Sequence, residues 1–155
     1  MTDAISLTLL VVLGLLVGSF LNVCIYRLPL GESIMWPGSH CTSCDRALSW
    51  FENIPVLAWT LLRGRCRTCG ASVSWMYPAV ELTTAVIFVV TWLAYGWTPL
   101  FGVRLLFACA LVVLFAIDLV HQILPNVITL PGIVIGFVSS FFLPPGWMSA
   151  LIGLL

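Results

Sequence analysis

The sequence predicts an all-α membrane protein, a polytopic helix bundle with a small zinc-knuckle insertion on its cytoplasmic side. Three observations predict it. The 155-residue chain is 61% hydrophobic and 8% charged, with a mean hydropathy of +1.15. Its few charges are segregated and leave long uncharged runs. One polar segment between those runs carries two Cys-x-x-Cys pairs. A soluble domain of this length carries about 25% charged residues. Six Arg, six acidic residues and no Lys cannot coat a globular surface. These facts exclude a soluble domain, a disordered chain and a nucleic-acid binder with a basic face. The formal net charge of +0 points to no acidic or basic partner. Membrane lipid is the partner the composition demands.

The uncharged runs place the elements. Ala4 to Tyr26, Leu82 to Val103 and Leu105 to Ile117 carry no charge, and none follows Asp118 as far as Leu155. A span needs about 20 apolar residues. The runs therefore predict helices over 4–25, 79–95, 99–118 and 126–143, four complete spans in all. The tail Trp147–Leu155 reads as the start of a fifth, too short to cross. The first run reads as a retained helix rather than a cleaved signal peptide. Asp3 is its only early charge, and it exceeds the usual apolar stretch of about 7–15 residues. The chain divides at 1–26, 27–77 and 78–155 into a first transmembrane helix, a cytoplasmic zinc-knuckle domain and a further set of transmembrane helices. It contains no internal repeat and no low-complexity tract.

Arg27, Arg46, Arg63, Arg65 and Arg67 lie in the polar segment, while Arg104 lies near the opposite end of the bundle. Positive charge collects on the cytoplasmic side. The N-terminus and the Tyr95–Pro99 loop are then outside, and the 27–77 segment and the Asp118–Asn126 turn inside.

The polar segment holds Cys41-Thr42-Ser43-Cys44 and Cys66-Arg67-Thr68-Cys69. Each pair bends two sulfurs toward one point, and the chain between the pairs closes a tetrahedral thiolate site. Arg65 and Arg67 favour thiolate over thiol. Two disulfides are the alternative, which a cytoplasmic location opposes. Four Cys leave no open coordination position, so the predicted zinc is structural. His40, beside Cys41, is the one residue able to replace a Cys ligand. Cys24 and Cys109 lie in apolar runs and read as small packing residues. Gly14-x-x-x-Gly18 and Gly132-x-x-x-Gly136 permit close helix contact. Trp36, Trp50, Phe51, Trp59, Trp75 and Tyr77 stud the polar segment. They belong either to the headgroup layer or to the core of a small metal domain.

Asp118 closes an apolar run in Ile117-Asp118-Leu119-Val120-His121, followed by Leu124-Pro125-Asn126. A carboxylate at such a position is costly in lipid and is a functional candidate by default. The alternative is a helix-end charge in the headgroup layer near His121. Asn126 is placed to cap the next helix.

Gly18-Ser19-Phe20-Leu21-Asn22-Val23-Cys24-Ile25-Tyr26-Arg27-Leu28-Pro29 resembles the opening of the type IV prepilin peptidases. The resemblance continues through both Cys pairs, Trp50-Phe51-Glu52-Asn53-Ile54-Pro55, Leu62-Arg63-Gly64-Arg65-Cys66, Tyr77-Pro78-Ala79-Val80-Glu81-Leu82, Ile117-Asp118-Leu119 and Leu124-Pro125-Asn126. It implies a bifunctional inner-membrane enzyme of type IV pilus and type II secretion systems. Such an enzyme is an aspartic endopeptidase that removes the leader of prepilins or pseudopilins. It is also a methyltransferase that methylates the new N-terminus with S-adenosylmethionine. Asp118 matches the first of the family's two catalytic aspartates. The zinc-knuckle segment corresponds to the cytoplasmic domain linked with methylation, and residues 78–155 to the peptidase region.

One departure is serious. The family's second aspartate stands in a Gly-x-Gly-Asp motif, which these residues lack; the other Asp residues are Asp3 and Asp45. The expectation is a chain truncated before that motif, or half of a split enzyme completed in trans, inactive in cleavage by itself. The competing reading is a non-catalytic membrane protein or remnant whose zinc loop is a docking module. The pilin acted on, the methyl-donor residues and the oligomeric state are not legible in the sequence.

Overall fold

The computed structural model describes residues 2–143 and 146–154. Among the described residues six helices follow one another: α1 (Thr2–Arg27), α2 (Leu57–Leu61), α3 (Met76–Tyr95), α4 (Pro99–His121), α5 (Asn126–Ser139) and α6 (Trp147–Leu154). A 3-10 turn, Trp50–Asn53, precedes α2. Among the described residues β-structure is limited to two isolated bridges, His40 with Ala47 and Arg65 with Ser72. The protein is α-helical, and α1, α3 and α4 are long and apolar enough to cross a membrane. In lipid the backbone must satisfy its own hydrogen bonds, and a helix does so within one segment.

The predicted fourth span is not of spanning length. α5 has 14 residues, about 21 Å of helix against a hydrocarbon core of about 30 Å. Its C-terminal turn gives the physical reason. Ser139 and Ser140 turn their hydroxyls back onto the carbonyls of Gly136 and Phe137, at 2.9 and 2.6 Å. Short hydroxyl side chains compete in this way with the helical ladder. Hydropathy counts the apolar letters around them and misses the break. Asn126 does not cap α5 either. Pro125 occupies the cap position and its own side chain caps nothing, and Asn126 is the first helical residue.

α1 and α3 form the central antiparallel pair, in a register set by three positions four residues apart. A Cβ on Gly14 would lie 2.5 Å from the Ala85 Cα, and one on Gly18 2.6 Å from the Glu81 Cα. One turn further, Asn22 Nδ2 donates to the Tyr77 carbonyl at 3.0 Å. Glycine is required at 14 and 18 because backbone meets backbone there, the small-residue packing that membranes favour. Gly132 and Gly136 have the same spacing, yet a Cβ on either would meet nothing within 4 Å among the described residues. Gly18→Val should therefore force α1 and α3 apart, at a cost of about 1–3 kcal/mol or more. We expect faster thermal aggregation of the detergent-solubilised protein, while Gly132→Val behaves as the parent. Equal behaviour of the two variants would contradict the register.

α4 packs against both helices and completes the core. Leu10, Phe88, Val113 and Ile117 are buried there, with Cys24 and Cys109 among them as packing side chains. At the α3–α4 turn Gly96 takes φ 59, and Thr98 caps α4 ahead of Pro99. Trp92, Trp97 and Phe101 cluster beside it, with ring centroids 6.3 and 5.5 Å apart. α1 ends at Arg27 where α3 begins, and the short 96–98 turn sends α4 back toward that same end. Arg27, Met76 and His121 thus share one end of the bundle with the cysteine segment, and Asp3 lies at the other.

Candidate metal centre and the aspartate of helix α4

The four cysteines predicted as ligands converge. Their sulfurs all lie within 4.8 Å of one another, and Cys41 and Cys69 are 3.8 Å apart. A tetrahedral zinc site with bonds of about 2.3 Å places its sulfurs about 3.8 Å apart, so the set fits a metal ion. No disulfide forms among them. His40 is not part of the set; its Nδ1 is 3.0 Å from the Gly38 carbonyl.

Two copies of one hydrogen-bonded turn build the cluster. The Cys41 N–H donates to the Arg46 carbonyl, Asp45 N–H to Cys41, and Leu48 N–H to Ser39, each at 2.9 Å. The Cys66 N–H donates to Ala71 at 2.8 Å, Gly70 to Cys66 at 3.0 Å, and Val73 to Gly64 at 2.7 Å. Asp45 and Gly70 take φ 53 and 71 at the same point of each turn. A Ser-Trp pair then follows both, Ser49-Trp50 and Ser74-Trp75, and starts a helix each time. This is an internal repeat, contrary to the expectation of none. The motif Cys-x-x-Cys-x-x-x-x-Ser-Trp carried the signal, hidden by the differing residues between.

The cluster is electrostatically incomplete as four sulfurs. The N–H groups of Cys69 and Thr68 hold the Cys66 thiol down to about 6. The N–H groups of Ser43 and Cys44 lower Cys41. At Cys69 the Ala71 N–H pulls the same way, but the adjoining Cys66 sulfur and desolvation outweigh it and push the thiol up to about 11. Four thiolates at this spacing need a cation.

Other side chains fix the module to itself and to the bundle. Arg46 grips Glu52 through both oxygens, at 2.9 and 2.7 Å, and Glu52 also accepts the Ser49 N–H. That guanidinium and that N–H hold the Glu52 carboxyl down to about 2. Arg27, buried at the end of α1, donates to the carbonyls of Ser33 and Gly38. Glu81 of α3 accepts the Val56 N–H at 2.7 Å, steadying a β-branched residue at φ 61. Sequence reasoning missed the anchoring by Arg27 and Glu81. The aromatics of the segment differ in burial. Trp59 is half-buried within the module, donating to the Val73 carbonyl at 3.1 Å and lying on Gly64. Trp36, Trp50 and Trp75 are 78%, 80% and 72% exposed.

Asp118 is exposed on the last turns of α4. Its carbonyl accepts the Gln122 N–H, which ends the helix in a left-handed residue. Its carboxylate forms no hydrogen bond or ion pair among the described residues, with His121 or any other; the ion pair there is Arg46–Glu52. Asp45 lies in the first cysteine turn, and Asp3 at the far end of α1.

A polytopic helical membrane protein with a tetracysteine module and a free carboxylate at one end of the bundle is the class these features define. The Bacterial Peptidase A24 N-terminal domain matches residues 12–95, and the Type IV leader peptidase family matches residues 105–155. The chain belongs to the type IV leader peptidase family. It is 48% identical to the prepilin leader peptidase/N-methyltransferase of Myxococcus xanthus, over 85% of this chain and 39% of that protein. The Pseudomonas putida protein of the same name is 36% identical over 100% of this chain and 63% of its own length. The Dickeya chrysanthemi protein, also so named, is 40% identical over 79% and 51%. The chain thus spans between 39% and 63% of these relatives. No solved structure matches it.

Proposed function

We propose that this chain is the tetracysteine-bearing part of an inner-membrane aspartic prepilin peptidase and N-methyltransferase. The observation that carries the reading is Asp118 at the module's end of the bundle, a lone exposed carboxylate on an apolar helix. The names of the relatives support the substrate, a prepilin or pseudopilin, and the second activity, N-methylation of the trimmed terminus.

In this reading zinc is bound by Cys41, Cys44, Cys66 and Cys69 and does no chemistry, because four thiolates fill its coordination. S-adenosylmethionine supplies the methyl group. Asp118 is one of two carboxylates around a water. Two close carboxylates cannot both ionise, so one takes the proton of the attacking water and the other, protonated, bonds the scissile carbonyl oxygen. The 155 residues hold one aspartate at this end outside the cysteine turns. By themselves they leave a prepilin uncut. Followed by the remainder of a full-length relative, they remove the leader and methylate the product, read by mass spectrometry of the pilin.

The orientation follows from the Arg cluster, which favours the cytoplasm. The module, Arg27 and Asp118 then face the cytoplasm. Single cysteines introduced at 50 and 97 should differ in labelling of intact spheroplasts by a membrane-impermeant maleimide: protected at 50, labelled at 97. Labelling at residue 50 would overturn both the orientation and the site of cleavage.

A further inference from the structure

A cavity of about 460 Å³ lies between the cysteine module and the adjoining ends of α1 and α3. Its walls include Ser19, Asn22 and Tyr26 of α1, Trp59 of α2, and Tyr77 and Glu81 of α3. Its volume falls within the range of small-molecule sites, about 300–1,000 Å³. Glu81 is 6% exposed, and its carboxylate has no ion-pair partner among the described residues. Arg27 also lines the cavity, but its guanidinium is occupied by the Ser33 and Gly38 carbonyls. The Val56 N–H, which meets Oε2 of Glu81, and the Ser19 hydroxyl are neutral partners, and neither balances its charge. A carboxylate this buried calls for a counter-charge. Gly18 is part of the construction: with no Cβ it lets α1 close directly over the Glu81 backbone.

We propose that this cavity binds a small organic cation, with Glu81 as its counter-charge and the rings of Tyr26, Tyr77 and Trp59 as the aromatic wall such a cation favours. The inference rests on the methyl-transfer reading, which supplies two ligands of this chemistry. One is the sulfonium of the methyl donor. The other is the α-ammonium of the trimmed substrate. Both are cations whose hydration is lost on entering an apolar cavity, and a fixed carboxylate replaces it.

Calorimetric titration of the metal-loaded chain in nanodiscs separates the two sources. The probes are S-adenosylmethionine against S-adenosylhomocysteine, which lacks the sulfonium charge, and a short apolar peptide with a free N-terminus against its acetylated form. The variant is Glu81→Gln, which keeps an acceptor for the Val56 N–H and removes the charge; its metal content reports that the module still folds. At least one cationic probe should bind the parent chain and weaken about tenfold or more in the variant, the scale of a charge-assisted contact. Its neutral counterpart should change far less, and the pair that responds identifies the source. S-adenosylmethionine or peptide binding at unchanged affinity in Glu81→Gln would overturn the site and leave the methyl-transfer reading standing. A parent chain that binds neither cation would overturn both.

Discussion

Stripping the metal should unfold the 39–73 module and leave the helix bundle intact. The module has little else to hold it. Its secondary structure is two bridges, one 3-10 turn and a five-residue helix. Around the sulfurs there is no apolar core of the size a domain of this length needs. Structural zinc sites supply folding free energy directly, about 10–16 kcal/mol of apparent binding in small metal peptides. The Arg46–Glu52 pair and the two hydrogen-bonded turns cannot replace a term of that size. Purified protein should contain one zinc per chain by elemental analysis. After chelation, all four thiols should react with a thiol reagent and the 39–73 segment should become protease-sensitive. Cys66→Ser should reproduce this without a chelator. Full protection of the thiols in metal-free protein would contradict the assignment.

In the chain extended by the remainder of a full-length relative, Asp118→Asn should remove leader cleavage and leave the zinc in place. An amide cannot take a proton from water, and general acid–base groups contribute about 10²–10⁴-fold in rate. Where the carboxylate also holds the nucleophile, the loss approaches the whole catalysed rate. The fold gives no reason for collateral damage. The Asp118 side chain bonds to nothing among the described residues, and the Gln122 cap uses its backbone carbonyl. A variant that kept its metal and lost only cleavage would separate chemistry from structure.

The spans were legible where charge bounds them. Arg27 closes α1, and α3 and α4 lie between charged or glycine-proline boundaries that composition alone exposes. α5 was misread because length was judged from apolar letters, while Ser139 and Ser140 end the helix through local hydroxyl bonds. Cysteine spacing disclosed the metal set because knuckle geometry is local. The repeat around it went unread because the two turns share only the Cys pair and the Ser-Trp pair, and the likeness between lies in backbone hydrogen bonds. Gly14-x-x-x-Gly18 and Gly132-x-x-x-Gly136 are indistinguishable as strings. Only tertiary contact shows that the first meets a backbone and the second, among the described residues, meets nothing within reach. In the sequence Glu81 stands out only as part of Tyr77-Pro78-Ala79-Val80-Glu81-Leu82. It is buried because Gly18 lets α1 approach so closely, a fact no window of residues around 81 contains.

The central claim is that Asp118 is half of a catalytic carboxylate pair. A prepilin processing assay with three proteins tests it most directly: the 155 residues alone, the same residues followed by the remainder of a full-length relative, and that longer chain with Asp118→Asn. All three are to be shown to carry zinc. The account predicts leader removal by the second protein only. Cleavage by the 155 residues alone, or undiminished cleavage by the Asp118→Asn chain, would contradict it.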